Sequence, residues 1–168
     1  MNSEELRALQ SPLKQQYRDN PETALVTLHA EARMAEGIAC KIDTGRAMVE
    51  AGLHPATGGD GSQVCSGDML LEALVACAGV TLRAVSTALG VELRDARVRA
   101  EADLDSRGTL GVSKEVQVGF REIRLGFDLD TDAPPEQLAK VIELTERYCV
   151  VLQTLKNPPT TVVTHRNA

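Results

Sequence analysis

The chain has 168 residues, and its 18 Lys and Arg residues against 24 Asp and Glu residues give a formal net charge of −6. This length suits one domain, or one domain with a short terminal extension. Aromatic residues make up only 2 % of the chain, which argues against the stacking surfaces of single-stranded nucleic-acid binders. The negative charge disfavours nucleic acid and anionic membranes as main partners. The first residues are charged and contain no apolar signal-peptide core, so we expect a cytoplasmic protein.

The N-terminal part predicts a helix followed by strands. Residues 3–19 predict a helix that is interrupted near Pro12, because a proline lacks the N–H donor of a helix interior. We therefore expect residues 1–21 to form a helical extension and residues 22–168 to form the main domain. Alternation of apolar and polar residues predicts three short antiparallel strands: 24–34, 38–42 and 46–50.

A glycine-rich loop, residues 52–65, leads into the longest apolar stretch of the chain. Residues 66–90 predict a helix with Ser66 as its N-cap, Asp68 in its first turn and Gly90 at its end. The helix is apolar over most of its circumference, so we expect a buried central helix. At about six turns it is too polar and too charged for a membrane span. One sheet cannot cover such a helix, and a second copy of the chain is the simplest cover.

The C-terminal half alternates strands with a second helix. Asp132 is predicted to cap an amphipathic helix that continues to the Asn157-Pro158-Pro159 segment. Residues 106–118 predict a loop or a weak strand. Strands are predicted at 97–105, 123–130 and 160–165. Because helices and strands occur in blocks, the fold class is α+β with antiparallel sheet.

The four cysteines are Cys40, Cys65, Cys77 and Cys149. Their spacings match no zinc site, and a reducing compartment disfavours structural disulfides. Cys77 lies mid-helix on an apolar stripe and Cys149 lies near the end of the other apolar stripe. Both stripes face the core, so the two thiols can meet there. A buried thiol is inert unless a cation or a donor holds its thiolate, and cysteines that merely fill the core stay an open alternative.

Two segments resemble the signatures of the OsmC/Ohr family, the osmotically inducible protein C and organic hydroperoxide resistance proteins. SGDMLLEALVACAGVTLRAV resembles the segment around the helix cysteine, and ERYCVVLQTLKNPP resembles the second cysteine motif, with Val150 where proline is common. The order of strands and helices matches as well, and the resemblance covers most of residues 24–165. It implies antiparallel sheets packed around a long buried central helix, in an intertwined homodimer with its sites at the subunit interface.

The resemblance also implies thiol peroxidase chemistry without a metal or bound organic cofactor. Cys77 is then the residue whose thiolate attacks an organic hydroperoxide, and Cys149 resolves the resulting sulfenic acid as a disulfide. A dithiol such as dihydrolipoamide reduces that disulfide. An arginine and an acid complete the family site. We assign them to Arg46, with Arg33 in reserve, and to Asp68, which stands where family members often have Glu.

Nine residues separate Asp68 from Cys77, which places the two on opposite sides of a straight helix. Two roles for Asp68 therefore stay open: it serves an arginine from a neighbouring segment or subunit, or it only caps the helix. An alternative function also stays open, in which an OsmC-like protein binds a small apolar or sulfur-containing ligand without peroxidase turnover.

Overall fold

The computed structural model describes residues 2–20, 31–34, 39–43, 48–111 and 113–167, and gives side chains mainly from residue 48 onward. Within these ranges the chain forms helices and mostly antiparallel strands, as expected for an α+β fold. In chain order they are α1 (Ser3–Asp19), β1 (Glu31–Met34), β2 (Ala39–Asp43), β3 (Met48–Gly52), β4 (Val64–Cys65), α2 (Ser66–Leu89), β5 (Asp95–Leu104), α3 (Ser106–Thr109), β6 (Phe120–Asp130), α4 (Pro135–Tyr148) and α5 (Val150–Lys156).

The first sheet has the strand order β1-β2-β3-β4. Its first three strands pair antiparallel, as predicted, and β4 joins β3 in parallel. The remaining parts of the predicted strands, at 24–30, 38 and 46–47, lie outside the described residues. The expected interruption of the first helix is wrong, because α1 continues through Pro12. A proline removes one backbone donor, and here that loss does not end the helix.

The central helix α2 ends where the sequence predicts but begins differently. Gly90 closes it in the left-handed conformation, with φ 69°, which glycine adopts without steric cost. The N-cap is Cys65 rather than Ser66, and its side chain makes no capping hydrogen bond. The reason is that Val64 and Cys65 are held in β4 beside β3, so the backbone is already helical at Ser66.

The second sheet consists of β5 and β6, which pair antiparallel over almost their whole length. Alternate residues face α2, and the outer face carries cross-strand ion pairs such as Arg99–Asp128 at 2.7 Å. The connection between the two strands contains the short helix α3, which the sequence does not predict. The carboxylate of Asp105 accepts a hydrogen bond from the Arg107 N–H and so caps α3.

The predicted C-terminal helix is two helices. The backbone at Cys149 is extended, with φ −71° and ψ 106°, so α4 ends there and α5 begins at the next residue. Asp132 does not cap α4, as it pairs instead with Arg94 and leaves Pro134 at the N-cap position.

The predicted final strand at 160–165 is wrong. These residues have no regular structure, and Val162 and Val163 are 83 % and 92 % exposed. Their β-branched side chains favour a strand only where a neighbouring strand is present to pair with. No described strand pairs with this segment.

Two groups of buried side chains form the core along α2. The first, called here the thiol cluster, is Leu74, Ala78 and Cys149, with Cys77 packed against it. The second, called the aliphatic cluster, is Leu82, Val91, Leu93 and Val141. The two clusters share Val98 and Phe127 on the inner face of the second sheet.

Much of α2 is not covered by the described part of the chain. Its inner face packs on α4, α5 and β5, as a core helix does, but only 28 % of its most apolar stretch is buried. With a mean hydropathy of 1.6, the helix is long and apolar enough to cross a membrane. The expectation that its polarity excludes a span is therefore wrong by length and composition alone, a test that the core helix of a soluble protein also passes. The outer face exposes Val80 by 72 %.

Candidate functional site

The side chains of Cys77 and Cys149, 72 residues apart in sequence, lie close together in the thiol cluster, and each thiol shifts the pKa of the other. Cys77 comes from the middle of α2, and Cys149 comes from the junction between α4 and α5. Cys149 is fully buried and Cys77 is partly exposed. One residue of the pair is therefore partly accessible to solvent while the other is enclosed by the core.

Backbone and side-chain donors surround the Cys77 sulfur. Burial raises the pKa of the Cys77 thiol, but the N–H groups of Val151 and Val150, the Cys149 thiol and the Thr81 hydroxyl all act in the opposite direction. Their combined effect holds the pKa of Cys77 below the ordinary value of 9.0. Donors that hydrogen-bond to the charged form stabilise it, so Cys77 is the thiol of the pair that ionises first.

The pKa of Cys149 is shifted in the opposite direction, upward. Burial raises its pKa, and the hydrogen bond that it makes to Cys77 together with the charge of the Cys77 thiolate raises it further, against the opposing effect of the Leu152 and Val151 N–H groups. Two coupled thiols titrate as a pair, and this pair holds its first negative charge on Cys77. The proton stays on Cys149.

The break between α4 and α5 creates the backbone donors. A continuous helix would use the N–H groups of residues 150 and 151 for its own hydrogen bonds, whereas the extended backbone at Cys149 frees them to face Cys77. The Gln153 side chain donates to the Glu146 carbonyl at 2.8 Å across the break, and Lys156 pairs with the Glu146 carboxylate at 2.9 Å. These contacts tie α5 to α4.

These backbone donors could not be predicted from the amino-acid sequence. The apolar stripe that predicts the helix continues with the same period through Cys149, so the pattern contains no sign of the break. One local signal of the helix break comes from the family resemblance. Val150 stands at a position where the family commonly has proline, a residue that is favoured in the first turn of a helix.

Of the predicted arginine and acid, the structure describes the side chain of the acid only. Arg46 lies outside the described residues, and Arg33 lies on β1, whose side chains are not described. Asp68 is exposed in the first turn of α2 and lines a surface groove with Glu101 of β5. Among the described residues, the groups that lower the pKa of Cys77 belong to α2, to α5 and to Cys149 between α4 and α5, and the role of Arg46 or Arg33 stays a prediction.

A second feature lies at the N-terminal end of α2. Cys65, which is partly buried and forms no disulfide, lines an apolar cavity of about 600 Å³ together with Leu70, Phe120 and Leu155. The glycine-rich sequence before α2 indicates a loop of this kind, since such loops often shape the mouth of a pocket. Leu155 also packs on the thiol cluster, so the cavity and the thiol pair share a wall. Within the described ranges, no three His, Cys, Asp or Glu side chains are grouped so that they could hold a metal ion.

Comparison of the sequence with protein-family models gives a match to the OsmC-like protein family over residues 59–164. This segment contains α2, both thiols and the second sheet. No curated protein sequence matches the chain significantly.

Comparison with solved structures gives three informative similarities, each at 16 % sequence identity. An OsmC-like protein from Mycoplasma pneumoniae superposes with a TM-score of 0.67, covering 79 % of this chain and 89 % of its own. An organic hydroperoxide resistance protein OsmC from Legionella pneumophila gives 0.62, with 79 % and 91 % covered. The organic hydroperoxide resistance protein OhrB of Bacillus subtilis gives 0.55, with 79 % and 93 % covered. At this identity the similarity establishes a common fold.

Proposed function

Because the chain belongs to the OsmC-like protein family, we propose that it is a thiol-dependent peroxidase that reduces organic hydroperoxides. The observation that carries this proposal is the contact between Cys77 and Cys149, in which the pKa of one thiol is lowered and that of the other is raised. Two of its structural neighbours are organic hydroperoxide resistance proteins, which supports the same substrate class.

In the first step the Cys77 thiolate attacks the terminal oxygen of the hydroperoxide. An S–O bond forms, the O–O bond breaks, and the alkoxide takes up the proton that Cys77 released on ionising. The products are a Cys77 sulfenic acid and an alcohol. The lowered pKa of Cys77 supports this role, because the thiolate is the nucleophilic form of the residue.

In the second step the sulfur of Cys149 attacks the sulfur of the sulfenic acid. A disulfide forms between the two residues, and the sulfenic oxygen departs as water together with the Cys149 proton. A dithiol of the dihydrolipoamide type then reduces the disulfide by thiol exchange. The contact between the two thiols supports this step, since no large movement is needed to join them.

A homodimer and an arginine complete the proposal. The outer face of α2 exposes Val80 and several alanines, and soluble monomers rarely leave large contiguous apolar patches uncovered. We place a second copy of the chain on this face. Arg46, or Arg33 in its place, and Asp68 are proposed to complete the site beside Cys77 in the dimer.

The test is a stoichiometric oxidation followed by peptide mapping. One equivalent of cumene hydroperoxide is expected to join Cys77 to Cys149 in the wild-type chain and to leave Cys65 reduced. Cys149→Ser is expected to stop at a Cys77 sulfenic acid that dimedone traps, because the second thiol is missing. The matched control, Cys65→Ser, keeps the disulfide. Oxidation of Cys65 while Cys77 stays reduced would contradict the proposal.

The cavity at Cys65 supports a second candidate function, the binding of a small apolar or sulfur-containing ligand without turnover. Among the described residues that line it there is no Asp, Glu, Lys or Arg, so this lining suits an uncharged ligand. A tight complex with an uncharged apolar probe, combined with no hydroperoxide consumption in the presence of dihydrolipoamide, would favour this function over the peroxidase.

A further inference from the structure

The Glu146 carbonyl lies at the break between α4 and α5 and has a side-chain partner. In a continuous helix this carbonyl would accept the backbone N–H of Val150, four residues later. Here α4 ends at Tyr148, and the Glu146 carbonyl accepts a hydrogen bond from the Gln153 side-chain amide at 2.8 Å. The last carbonyls of a helix need partners from outside it, and Gln153 supplies one at the point where the helix is broken.

Both ends of the Gln153 amide are engaged. The Nε2 atom donates to the Glu146 carbonyl, and the Oε1 atom accepts from the Asn157 side chain at 3.3 Å. The Gln153 backbone N–H donates to the Cys149 carbonyl at 2.9 Å, so Gln153 binds both the end of α4 and the residue at the break. Its side chain is partly buried, where a hydrogen bond is stronger than in water.

The geometry of the break sets the position of α5 against the thiols. This helix has seven residues, and isolated helices shorter than about 12–15 residues are marginal in water. Its Val151, Leu152 and Leu155 side chains pack on the thiol cluster. The place of α5 therefore depends on its contacts with neighbouring elements, and the bond from Gln153 to α4 is one of them.

The other side-chain contact between α5 and α4 is the ion pair of Lys156 with the Glu146 carboxylate at 2.9 Å. Both of these side chains are about half exposed, and ion pairs on the surface contribute little to stability. The Gln153 bond, which is partly buried and reaches a backbone carbonyl, is the stronger of the two ties.

We propose that Gln153 is a positioning residue of the thiol pair, which keeps the backbone broken at Cys149 and so holds the Cys149 side chain beside Cys77. The apolar stripe of the sequence continues through Cys149 and favours one unbroken helix. The Gln153 amide opposes that helix, because it occupies the carbonyl that the helix would need. The inference rests on the proposed function only for its consequence, the attack of Cys149 on the Cys77 sulfenic acid to give the disulfide and water.

The experiment measures the equilibrium between the thiol pair and glutathione in the full-length chain. The two thiols reduce glutathione disulfide to two glutathione molecules and become the Cys77–Cys149 disulfide, so no hydroperoxide is needed. Samples are quenched with iodoacetamide, and peptide mass spectrometry gives the disulfide fraction at each glutathione ratio. The equilibrium constant reports the fraction of molecules in which the two thiols are in position to join.

Gln153→Met keeps an unbranched side chain of similar length and removes the donor. It is expected to lower the equilibrium constant about three- to tenfold, the factor that one ordinary hydrogen bond represents. Gln153→Lys returns a donor at the end of an unbranched side chain and is expected to restore most of the wild-type value. The matched control, Lys156→Met, removes the ion pair to the same Glu146 and is expected to stay within about twofold of wild type.

A wild-type equilibrium constant in Gln153→Met overturns the inference. A low value that Gln153→Lys fails to restore also overturns it, because the cause is then packing. Leu82→Val, which lowers stability in the aliphatic cluster, is expected to keep the wild-type value, and an equal loss there would overturn the inference in favour of global stability. Urea unfolding shows which variants fold, and Gln153→Glu, which also lacks the donor, replaces Gln153→Met if that variant does not.

Consumption of cumene hydroperoxide separates this inference from the peroxidase. If the wild-type chain consumes none, the peroxidase is refuted, and a lowered equilibrium constant in Gln153→Met still supports the positioning role. If the wild-type chain consumes hydroperoxide and the equilibrium constant of Gln153→Met is unchanged, the positioning role alone is refuted.

Discussion

The thiol cluster and the aliphatic cluster both lie along α2 and both contact Val98 and Phe127, but they have different roles. Leu82 and Val141 of the aliphatic cluster are 2 % and 0 % exposed, and their contacts are those of an ordinary hydrocarbon core. The thiol cluster is just as tightly packed at Leu74 and Cys149, both at 0 %. It differs because α4 is broken beside it, which turns backbone donors toward a sulfur. Burial alone raises a thiol pKa, so reactivity at this position depends on the donors.

The difference between the two clusters is expected to be largest in hydroperoxide turnover. Cys77→Ser is expected to lower hydroperoxide turnover at least about a hundredfold, because a serine hydroxyl does not ionise at neutral pH to replace the thiolate. Its free energy of unfolding is expected to change little, since the two side chains have similar volumes. Leu82→Val in the aliphatic cluster is the matched control and is expected to keep wild-type turnover with reduced stability. Coupled consumption of cumene hydroperoxide with dihydrolipoamide measures the first effect, and a Cys77→Ser variant that retains turnover would remove the distinction between the clusters.

A second pair of variants separates packing from chemistry. Leu74→Ala and Leu82→Ala each remove a buried leucine, and each is expected to lower the free energy of unfolding by about 2–5 kcal/mol. Only Leu74→Ala is expected to alter the pH profile of Cys77 alkylation, because Leu74 packs on Cys149. Urea unfolding and iodoacetamide alkylation give the two readouts. Equal changes of the profile in both variants would show that the thiol responds to global stability rather than to its own cluster.

The backbone donors are tested at Val150, the first residue of α5. Val150→Pro removes one N–H group that contacts Cys77, and proline suits the first position of a helix. The extended backbone at Cys149 suits a residue before proline. The pKa of Cys77 is expected to rise by about 0.5–1 unit, while Val150→Ala, which keeps the N–H, leaves it unchanged.

The sign of the accompanying stability effect follows from the lowered pKa of folded Cys77. The donors contribute their full stabilisation of the folded state when the pH lies above 9.0, the pKa of the Cys77 thiol in the unfolded chain. This contribution is lost as the pH falls through the lower pKa of Cys77 in the folded state. The stability difference between Val150→Pro and Val150→Ala is therefore expected to grow from neutral to alkaline pH. A difference that is constant over this range would mean that the N–H of Val150 does not interact with the thiolate.

The smallest effect is expected at Ser86, which is the counterpart of Thr81 beside the aliphatic cluster. Its hydroxyl donates to the Arg83 carbonyl at 3.1 Å, and the side chain is 1 % exposed. Ser86→Ala is expected to change the free energy of unfolding by at most about 1 kcal/mol, because alanine favours the helix and offsets the lost hydrogen bond. The pH profile of Cys77 alkylation is expected to stay the same in Ser86→Ala. A shift of that profile would show that any hydroxyl on α2 affects the thiol indirectly.

Local pattern predicts the elements that carry their own signals. The long helix with its end at Gly90 and the alternating strands β5 and β6 appear in the structure nearly as predicted. The predictions from the sequence are wrong where a contact with a neighbouring element overrides the local structural preference of a residue. Asp132 pairs with Arg94 instead of capping α4, and β4 fixes the start of α2 so that Cys65 stands at the N-cap. The segment at 160–165 has strand propensity and no described strand beside it.

The sequence by itself determines that this chain is an α+β protein with a long apolar helix, and two short motifs indicate which cysteines belong together by family. Periodicity places each cysteine on an apolar stripe, because a stripe depends only on residues a few positions apart. Only the tertiary structure decides that the two side chains lie together and that the pKa of Cys77 is the one that is lowered. The deciding groups are backbone N–H donors at a helix break 72 residues away. Every residue except proline carries a backbone N–H group. A pattern of side chains therefore does not indicate which of these groups will face the sulfur in the folded chain.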